Sequence, residues 1–224
     1  MAKGNGTPLT EELYAYMLGH NPSLDPVQRM LVEVTHTRLP LLAGKQVAEE
    51  QAAEEQGPLL AFLVRLTGAR RIVEVGTLTG LSALSMAQAL PPDGTLLTCD
   101  VSEERTRRAR AAWAKAEVAD RIELRIAPAL ETLRGLPAEP HIDMAFIDAD
   151  KDDYGAYWDE LVPRMRPGGL LVVDDVFCHG GVTDPDATGC AAAVRDFNAQ
   201  VKADERVDSV MLPVADGLTL ARRR

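Results

Sequence analysis

The sequence lacks the positive charge that nucleic-acid binding requires. Its 224 residues carry a formal net charge of -10 at pH 7, whereas proteins that bind nucleic acid use a surplus of lysine and arginine against the phosphates. A run of three arginines at 222–224 is too short to change this balance. We therefore expect no nucleic-acid partner.

Long apolar stretches are also missing, and cysteines are few. No apolar run approaches the roughly 20 residues of a membrane span, and the first residues, MAKGNGT, lack the apolar core of a signal peptide. Cys99, Cys178 and Cys190 are odd in number and have no zinc-like spacing. These absences predict a cytoplasmic protein without a membrane partner, with reduced cysteines and no disulfide framework.

Short β-branched runs alternate with helical segments from Arg71 onward, which predicts an α/β fold with a mostly parallel sheet covered on both faces. We expect the helix that begins at Tyr154 to end at Met165, closed by the turn at 167–169. The segment at 215–217 predicts a final hairpin that adds an antiparallel strand. The predicted strands are 71–75, 95–101, 121–126, 142–147, 170–174, 207–212 and 218–222.

The chain is long enough for one such domain with a full core, and 46% of its residues are apolar. We predict a single domain over 1–224, in which 1–57 forms a helical N-terminal extension or lid and 58–224 forms the core. Within the extension, a helix or ordered lid segment is expected from Gly44 to Gln56, broken at 57–58.

Carboxylates close two of the predicted strands. Asp148 ends the apolar run before Lys151, and Asp174 and Asp175 end the next strand. Acids at neighbouring strand ends repel one another unless a cation or a shared proton intervenes, so these three predict a site for a hard divalent cation. Lys151 follows Asp148 by one turn and is placed to act as a base. Helix-dipole compensation at the following helix is a simpler explanation for the acids at 152–153.

A glycine-containing turn, Glu74-Val75-Gly76-Thr77-Leu78-Thr79-Gly80, follows the first strand. Gly76 and Gly80 would let the backbone approach a ligand closely, although a plain turn after a strand-end carboxylate is an equally good reading. The turn lacks the third glycine of the dinucleotide fingerprint, and Glu74 would repel a pyrophosphate but attract an ammonium group. Asp100, at the end of the second strand, is suited to the two hydroxyls of a ribose. The combination fits S-adenosylmethionine better than NAD or ATP.

Five blocks in order resemble the class I, cation-dependent O-methyltransferases of the caffeoyl-CoA and catechol type, from about Leu39 to Arg222. The blocks are LVRLTGARRIVEVGTLTGLS, LLTCDVSEE, AFIDADKDDY, RPGGLLVVDD and ADGLTLAR. The resemblance implies a Rossmann-like, seven-stranded fold with an antiparallel last strand, and commonly a homodimer. It also implies methyl transfer from S-adenosylmethionine to a catechol-like small molecule, in the manner of bacterial enzymes of secondary metabolism such as antibiotic biosynthesis.

The resemblance implies roles for individual residues. Lys151 would be the general base, its pKa depressed by a bound Mg2+ or a similar ion such as Mn2+ or Ca2+, with Asp148 as catalytic partner. The metal would be held by Asp148, Asp174 and Asp175. The cofactor would be bound by Glu74, Gly76, Leu78, Gly80, Ser82, Asp100, Val101, Ala129 and Asp148.

The sequence departs from this family at three places. The pair Asp174-Asp175 stands where an Asp-Asn pair is usual, Cys178 stands where the acceptor pocket usually has an aromatic residue, and Pro58 replaces a polar residue. Cys178 and His179, in the loop after the acid pair, could line a substrate pocket or add a soft ligand, although a loop histidine is more often only solvated. The alternatives are a methyltransferase that needs no metal and a non-catalytic, nucleoside-binding protein of Rossmann-like fold.

Overall fold

The computed structural model describes residues 7–38 and 46–224, with side chains described for 7–35 and 54–224. A seven-stranded sheet in the order β3-β2-β1-β4-β5-β7-β6 forms the centre of this part. The first five strands are parallel, and β7 runs antiparallel to both β5 and β6. The predicted seven-stranded, mostly parallel sheet with an antiparallel last strand is therefore confirmed. The strands are β1 Arg71–Val75, β2 Thr95–Asp100, β3 Ile122–Ile126, β4 Ile142–Ile147, β5 Met165–Val173, β6 Val207–Leu212 and β7 Leu218–Arg223.

Helices cover both faces of the sheet and precede its first strand. One apolar cluster packs Tyr154, Trp158 and Phe197 against one face, and a second packs Leu60 and Trp113 against the other. No described helix is long and apolar enough to cross a membrane. The helices are α1 Glu11–His20, α2 Pro26–Arg38, α3 Gln46–Thr67, α4 Leu81–Ala89, α5 Glu103–Lys115, α6 Ala129–Arg134, α7 Tyr154–Leu161 and α8 Cys190–Ala203.

The predicted break at Gly57-Pro58 is wrong, because α3 runs through both residues. Gly57 is buried against Ser85 of α4, and Leu60 in the next turn is part of the apolar cluster on this face. This packing overrides the local preference of glycine and proline for a helix end. Gly44, the predicted beginning of this segment, lies outside the described residues.

The helix predicted to end at Met165 ends earlier, and the Pro-Gly-Gly segment lies inside β5 rather than in a turn. Met165 pairs with Ile142 of β4, and the register then shifts before Met144 pairs with Leu170. This irregularity accommodates the proline, which cannot donate a ladder hydrogen bond. β5 therefore begins at Met165, before the apolar run at 170–174 from which the strand was predicted.

The prediction of unpaired cysteines is also wrong for this structure. Cys178, in the loop after β5, forms a disulfide with Cys190, the first residue of α8. Their Cα atoms lie 6.6 Å apart across a separation of 12 residues, which is within the range that a disulfide spans. Cys99 stays a buried thiol. Spacing along the chain does not show which cysteines folding brings together.

Candidate active site

A cavity of 1410 Å³ opens at the carboxyl ends of the parallel strands. Ligands of open α/β sheets bind at this edge, because the loops that follow the strands gather there. The volume exceeds the range of a single small-molecule pocket and leaves room for a cofactor together with an acceptor. Of the predicted site residues, the cavity is lined by Gly76, Leu78, Gly80, Ser82, Asp100, Val101, Ala129, Asp148, Asp174 and Asp175.

The glycine turn after β1 forms one wall of this cavity. Gly76, Leu78 and Gly80 all have positive φ angles, of 98°, 49° and 85°. A Cβ on Gly76 would overlap the carbonyl oxygen of Asp148, and one on Gly80 would lie 2.5 Å from the Cβ of Ala109. The two glycines are thus required by packing against neighbouring parts of the protein. Both also line the cavity, so a role in the close approach of a ligand stays a prediction.

Asp100, at the end of β2, organises the same turn. Its Oδ2 accepts hydrogen bonds from the backbone N–H groups of Thr77, at 3.2 Å, and Leu78, at 2.8 Å. Its Oδ1 accepts from the backbone N–H of Ser102 at 2.8 Å. Val101 beside it has a side chain that is 69% exposed, which leaves an apolar surface free at the cavity. The cavity therefore has a carboxylate and an apolar side chain next to each other at this end.

Glu74 lies beneath the turn rather than on the cavity wall. It is fully buried, and its two carboxylate oxygens accept hydrogen bonds from Ser82 Oγ at 2.5 Å and Thr98 Oγ1 at 2.6 Å. Burial raises the pKa of Glu74 to about 8, and the charges of Asp148 and Asp100 contribute in the same direction. Since Ser82 lines the cavity and Glu74 does not, Glu74 borders the site through this hydroxyl.

The three predicted metal ligands meet where β4 and β5 end side by side. Asp174 is only 3% exposed. Its pKa lies well above its usual range because of burial and because of repulsion by Asp148 and Asp175. Burial also raises the pKa of Asp148. Three acids crowded in this way favour a cation among them.

In this structure the cation among the acids is the ammonium group of Lys151. Its Nζ lies 3.1 Å from Asp148 Oδ1 and 2.9 Å from Asp175 Oδ2. It also donates to Tyr154 OH at 2.7 Å, and that hydroxyl donates to the carbonyl oxygen of Asp174 at 3.1 Å. The sequence did not lead us to predict Tyr154 as a residue of this site. Its position one turn after Lys151, at the beginning of an apolar helix, was a signal for it.

The pKa of Lys151 is shifted in the direction opposite to our expectation for the metal-loaded site. Burial alone lowers this pKa, but the charge of Asp148, with that of Tyr154 and Asp175, raises it well above its ordinary value. Lys151 is therefore held as an ammonium group here. A bound cation would have to compete with it for Asp148 and Asp175 before the amine could accept a proton.

The residues fit a divalent cation in the chemistry of their donor atoms. Carboxylate oxygens are the ligands that Mg2+, Mn2+ and Ca2+ prefer, and two of the three acids, Asp148 and Asp175, already pair with a positive group. Within 7–38 and 46–224, however, no three His, Cys, Asp or Glu side chains converge closely enough to form a finished metal cluster.

Glu55 and Gln56 of α3 form a second wall of the cavity, which the sequence did not reveal. Gln56 Nε2 donates to Asp174 Oδ2 at 2.6 Å. The neighbouring Glu55 accepts from Tyr14 OH of α1 at 3.0 Å and from the backbone N–H of Ala215 at 3.2 Å. These contacts join the N-terminal helices, Asp174 and the final hairpin around one side of the cavity.

The loop after β5 is fixed by the hairpin that joins β6 and β7. Both carboxylate oxygens of Asp216 accept from the backbone N–H of His179, at 3.0 Å and 2.7 Å. Gly217 has a φ of 90° and lies so close to Phe177 that a Cβ would be 2.6 Å from its ring. His179 lines the cavity as predicted. Cys178 does not offer a thiolate ligand, because it is disulfide-bonded.

A protein-family model described as O-methyltransferase matches residues 25–224 of this chain. The chain belongs to the O-methyltransferase family. The chain is also similar to curated relatives. Catechol O-methyltransferase domain-containing protein 1 of Mus musculus is 38% identical over 218 residues, which cover 96% of this chain and 80% of the relative. Caffeoyl-CoA O-methyltransferase 2 of Zea mays is 41% identical over 180 residues, which cover 75% and 68%.

A solved structure agrees with this assignment. The O-methyltransferase TomG from Streptomyces achromogenes, involved in tomaymycin synthesis and solved in complex with SAM, superposes with a TM-score of 0.80 at 32% identity. The match covers 95% of this chain and 96% of TomG. The predicted family, fold and enzyme class of this O-methyltransferase are therefore confirmed.

Proposed function

We propose that this O-methyltransferase transfers a methyl group from S-adenosylmethionine to one hydroxyl of a catechol-like small molecule, with the help of a divalent cation. The observation that carries the proposal is the pairing of Lys151 with Asp148 and Asp175, which together with Asp174 line the cavity beside the glycine turn. Mg2+ is the expected ion, with Mn2+ or Ca2+ as substitutes. The acceptor would come from secondary metabolism, as the relation to TomG suggests.

The wall formed by the glycine turn and β2 would hold the cofactor. Asp100 would bind the ribose hydroxyls, and Val101 would pack against the adenine, whose edge would meet the backbone of Ala129. Glu74 would ionise when the positive methionine amino group binds and would then supply negative charge beneath it, which fits its position behind Ser82. The amino-acid end would be lined by Gly76, Leu78, Gly80 and Ser82, with Asp148 beside them.

The chain's own residues would carry the proton and orient the acceptor. Asp148, Asp174 and Asp175 would hold the cation, which when bound lowers the pKa of an acceptor hydroxyl. With the cation in place among these acids, Lys151 would first lose its own proton to solvent. Its neutral Nζ would then accept the proton of that hydroxyl, while Tyr154 OH would keep the amine in place. The acceptor oxygen would then attack the methyl carbon, the bond from that carbon to sulfur would break, and S-adenosylhomocysteine would leave. Most of the acceleration would come from positioning.

A methyltransferase that needs no metal is the second candidate. It is favoured by one observation, that the described side chains do not form a finished metal cluster. A non-catalytic nucleoside-binding protein is disfavoured, because it would have no use for a lysine held among acids.

We also propose that residues 1–224 form one domain, with a helical extension at 1–57 and a core at 58–224. The protein would work in the cytoplasm as a homodimer. Two exposed apolar residues one turn apart on α3, Phe62 and Leu66, are suited to such an interface.

The experiment is methyl transfer from labelled S-adenosylmethionine to a panel of catechols, with Mg2+ and with EDTA. We expect transfer that requires Mg2+. Transfer that EDTA leaves unchanged would retain the methyltransferase and refute the role of the metal. Failure of the protein to bind S-adenosylmethionine would refute the cofactor assignment, whereas binding without transfer would refute catechols as acceptors.

A further inference from the structure

The carboxylate of Asp174 has a hydrogen-bond donor on each oxygen. Gln56 Nε2 donates to Oδ2 at 2.6 Å, and the backbone N–H of Asp175 donates to Oδ1 at 2.7 Å. Two donors at opposite oxygens define the plane of the carboxylate. Each oxygen has further lone pairs with which to bind a ligand.

The donor on Oδ2 comes from a distant part of the chain. Gln56 is 118 residues from Asp174 in sequence and belongs to α3, where it lines the cavity. The preceding residue, Glu55, is tied to α1 through Tyr14 and to the final hairpin through Ala215. The helix is thus held on two sides at the point where the amide reaches the acid.

The side-chain amide of Gln56 is also chemically suited to donate a hydrogen bond to a carboxylate that binds a metal. A neutral amide orients a carboxylate without adding positive charge, whereas a lysine or arginine at this place would oppose a bound cation electrostatically. Carboxylates that bind metals are usually hydrogen-bonded by such outer residues, and losing one typically costs 10- to 100-fold in metal affinity or activity.

We propose that Gln56 is a positioning residue that holds Asp174 in the orientation needed to bind a divalent cation. This inference rests on the proposed function, in which Asp174 is one of the metal ligands. It adds a contribution of the N-terminal extension to the metal site, so that the segment covering the acceptor also prepares the centre that activates it.

The test is the affinity for Mn2+ of the full-length protein, measured by electron paramagnetic resonance or calorimetry without cofactor or acceptor. Gln56→Met keeps the side-chain length and the helix propensity but removes the donor. The matched control is Gln200→Met, because Gln200 Nε2 donates to Asp159 Oδ1 at 2.9 Å on α7 and α8, outside the residues that line the cavity. Gln56→Leu serves as a second variant if the methionine variant folds poorly.

We expect Gln56→Met to bind Mn2+ at least about tenfold more weakly than the wild type, with S-adenosylmethionine affinity unchanged, and Gln200→Met to match the wild type. In the methyl-transfer assay, Gln56→Met should need more Mn2+ for half-maximal activity and recover turnover at high Mn2+. Equal or tighter Mn2+ binding by both Gln56 variants would overturn the role of Gln56 and leave the metal-dependent function standing. A wild-type protein that binds no Mn2+ would overturn both.

Discussion

Glu74 is the residue whose substitution tests the electrostatics of the site most directly. Its pKa of about 8, against an ordinary value of 4.5, corresponds to about 5 kcal/mol at about 1.36 kcal/mol per pKa unit. Because the folded-state pKa is raised, the protonated acid is the form that folding favours. This contribution to stability is complete below pH 4.5 and is lost as the pH rises through 8.

The change to make is Glu74→Gln, which keeps the shape and removes the charge. The amide oxygen accepts from Ser82, and the amide nitrogen donates to Thr98 Oγ1. That hydroxyl in turn donates to Thr77 Oγ1, which lies 2.6 Å away. With these hydrogen bonds retained, the variant should differ from the wild type chiefly in its response to pH. Linkage predicts that the wild type loses about 3 kcal/mol between pH 6 and pH 9 relative to the variant.

The assay is urea unfolding at intervals from pH 5.5 to pH 9, without cofactor or metal, for the wild type and Glu74→Gln. Taking the difference between the two proteins cancels the titration of groups that they share. Glu123→Gln, at an exposed glutamate paired with Arg125, is the control and should follow the wild type. A difference between wild type and Glu74→Gln that stays constant from pH 5.5 to pH 9 would refute the assignment of a buried, raised-pKa acid.

Three further substitutions test the proposed chemistry. Lys151→Ala should lower turnover by roughly 10²- to 10⁴-fold while leaving S-adenosylmethionine affinity nearly intact by calorimetry, and an equal loss of both would contradict its role as the base. Asp148→Ala should abolish the Mg2+-dependent methyl transfer measured with labelled cofactor; Mg2+-stimulated activity that survives the substitution would rule out Asp148 as a ligand. Asp175→Asn should stay active, because asparagine retains an oxygen ligand and tolerates the left-handed backbone found there, with a φ of 56°. A folded but inactive Asp175→Asn variant would show that the charge itself is required.

The arrangement of the acids could be anticipated from the sequence for a definite physical reason. Parallel strands end at one edge of a sheet, so Asp148 after β4 and Asp174 after β5 had to come close once those strands were neighbours. The contact of Lys151 with Asp148 followed from their separation of one turn. The proximity of Gly76 and Asp100 could be anticipated in the same way, because Gly76 follows β1 and Asp100 ends the adjacent strand β2.

Other features depend on contacts between distant segments, which residue patterns do not encode. Gln56 reaches Asp174 across 118 residues, and Glu55 reaches Ala215 across 160. The disulfide between Cys178 and Cys190 depends on where α8 begins relative to the loop after β5. The continuous α3 likewise results from packing on α4, against the local preference of Gly57 and Pro58.

The sequence by itself determined the sheet, the acids at its edge and the membership of the O-methyltransferase family. The sheet and the acids follow from the alternation of apolar runs and turns and from residues that lie one strand or one turn apart, whereas the family follows from the resemblance of five sequence blocks. Only the tertiary structure decided that Glu74 is buried beneath the glycine turn, that Lys151 is held as an ammonium group, and that α3 supplies a donor to Asp174. Burial, and the electrostatic energies that it controls, depend on every segment that packs around a group, and those segments meet only in the folded chain.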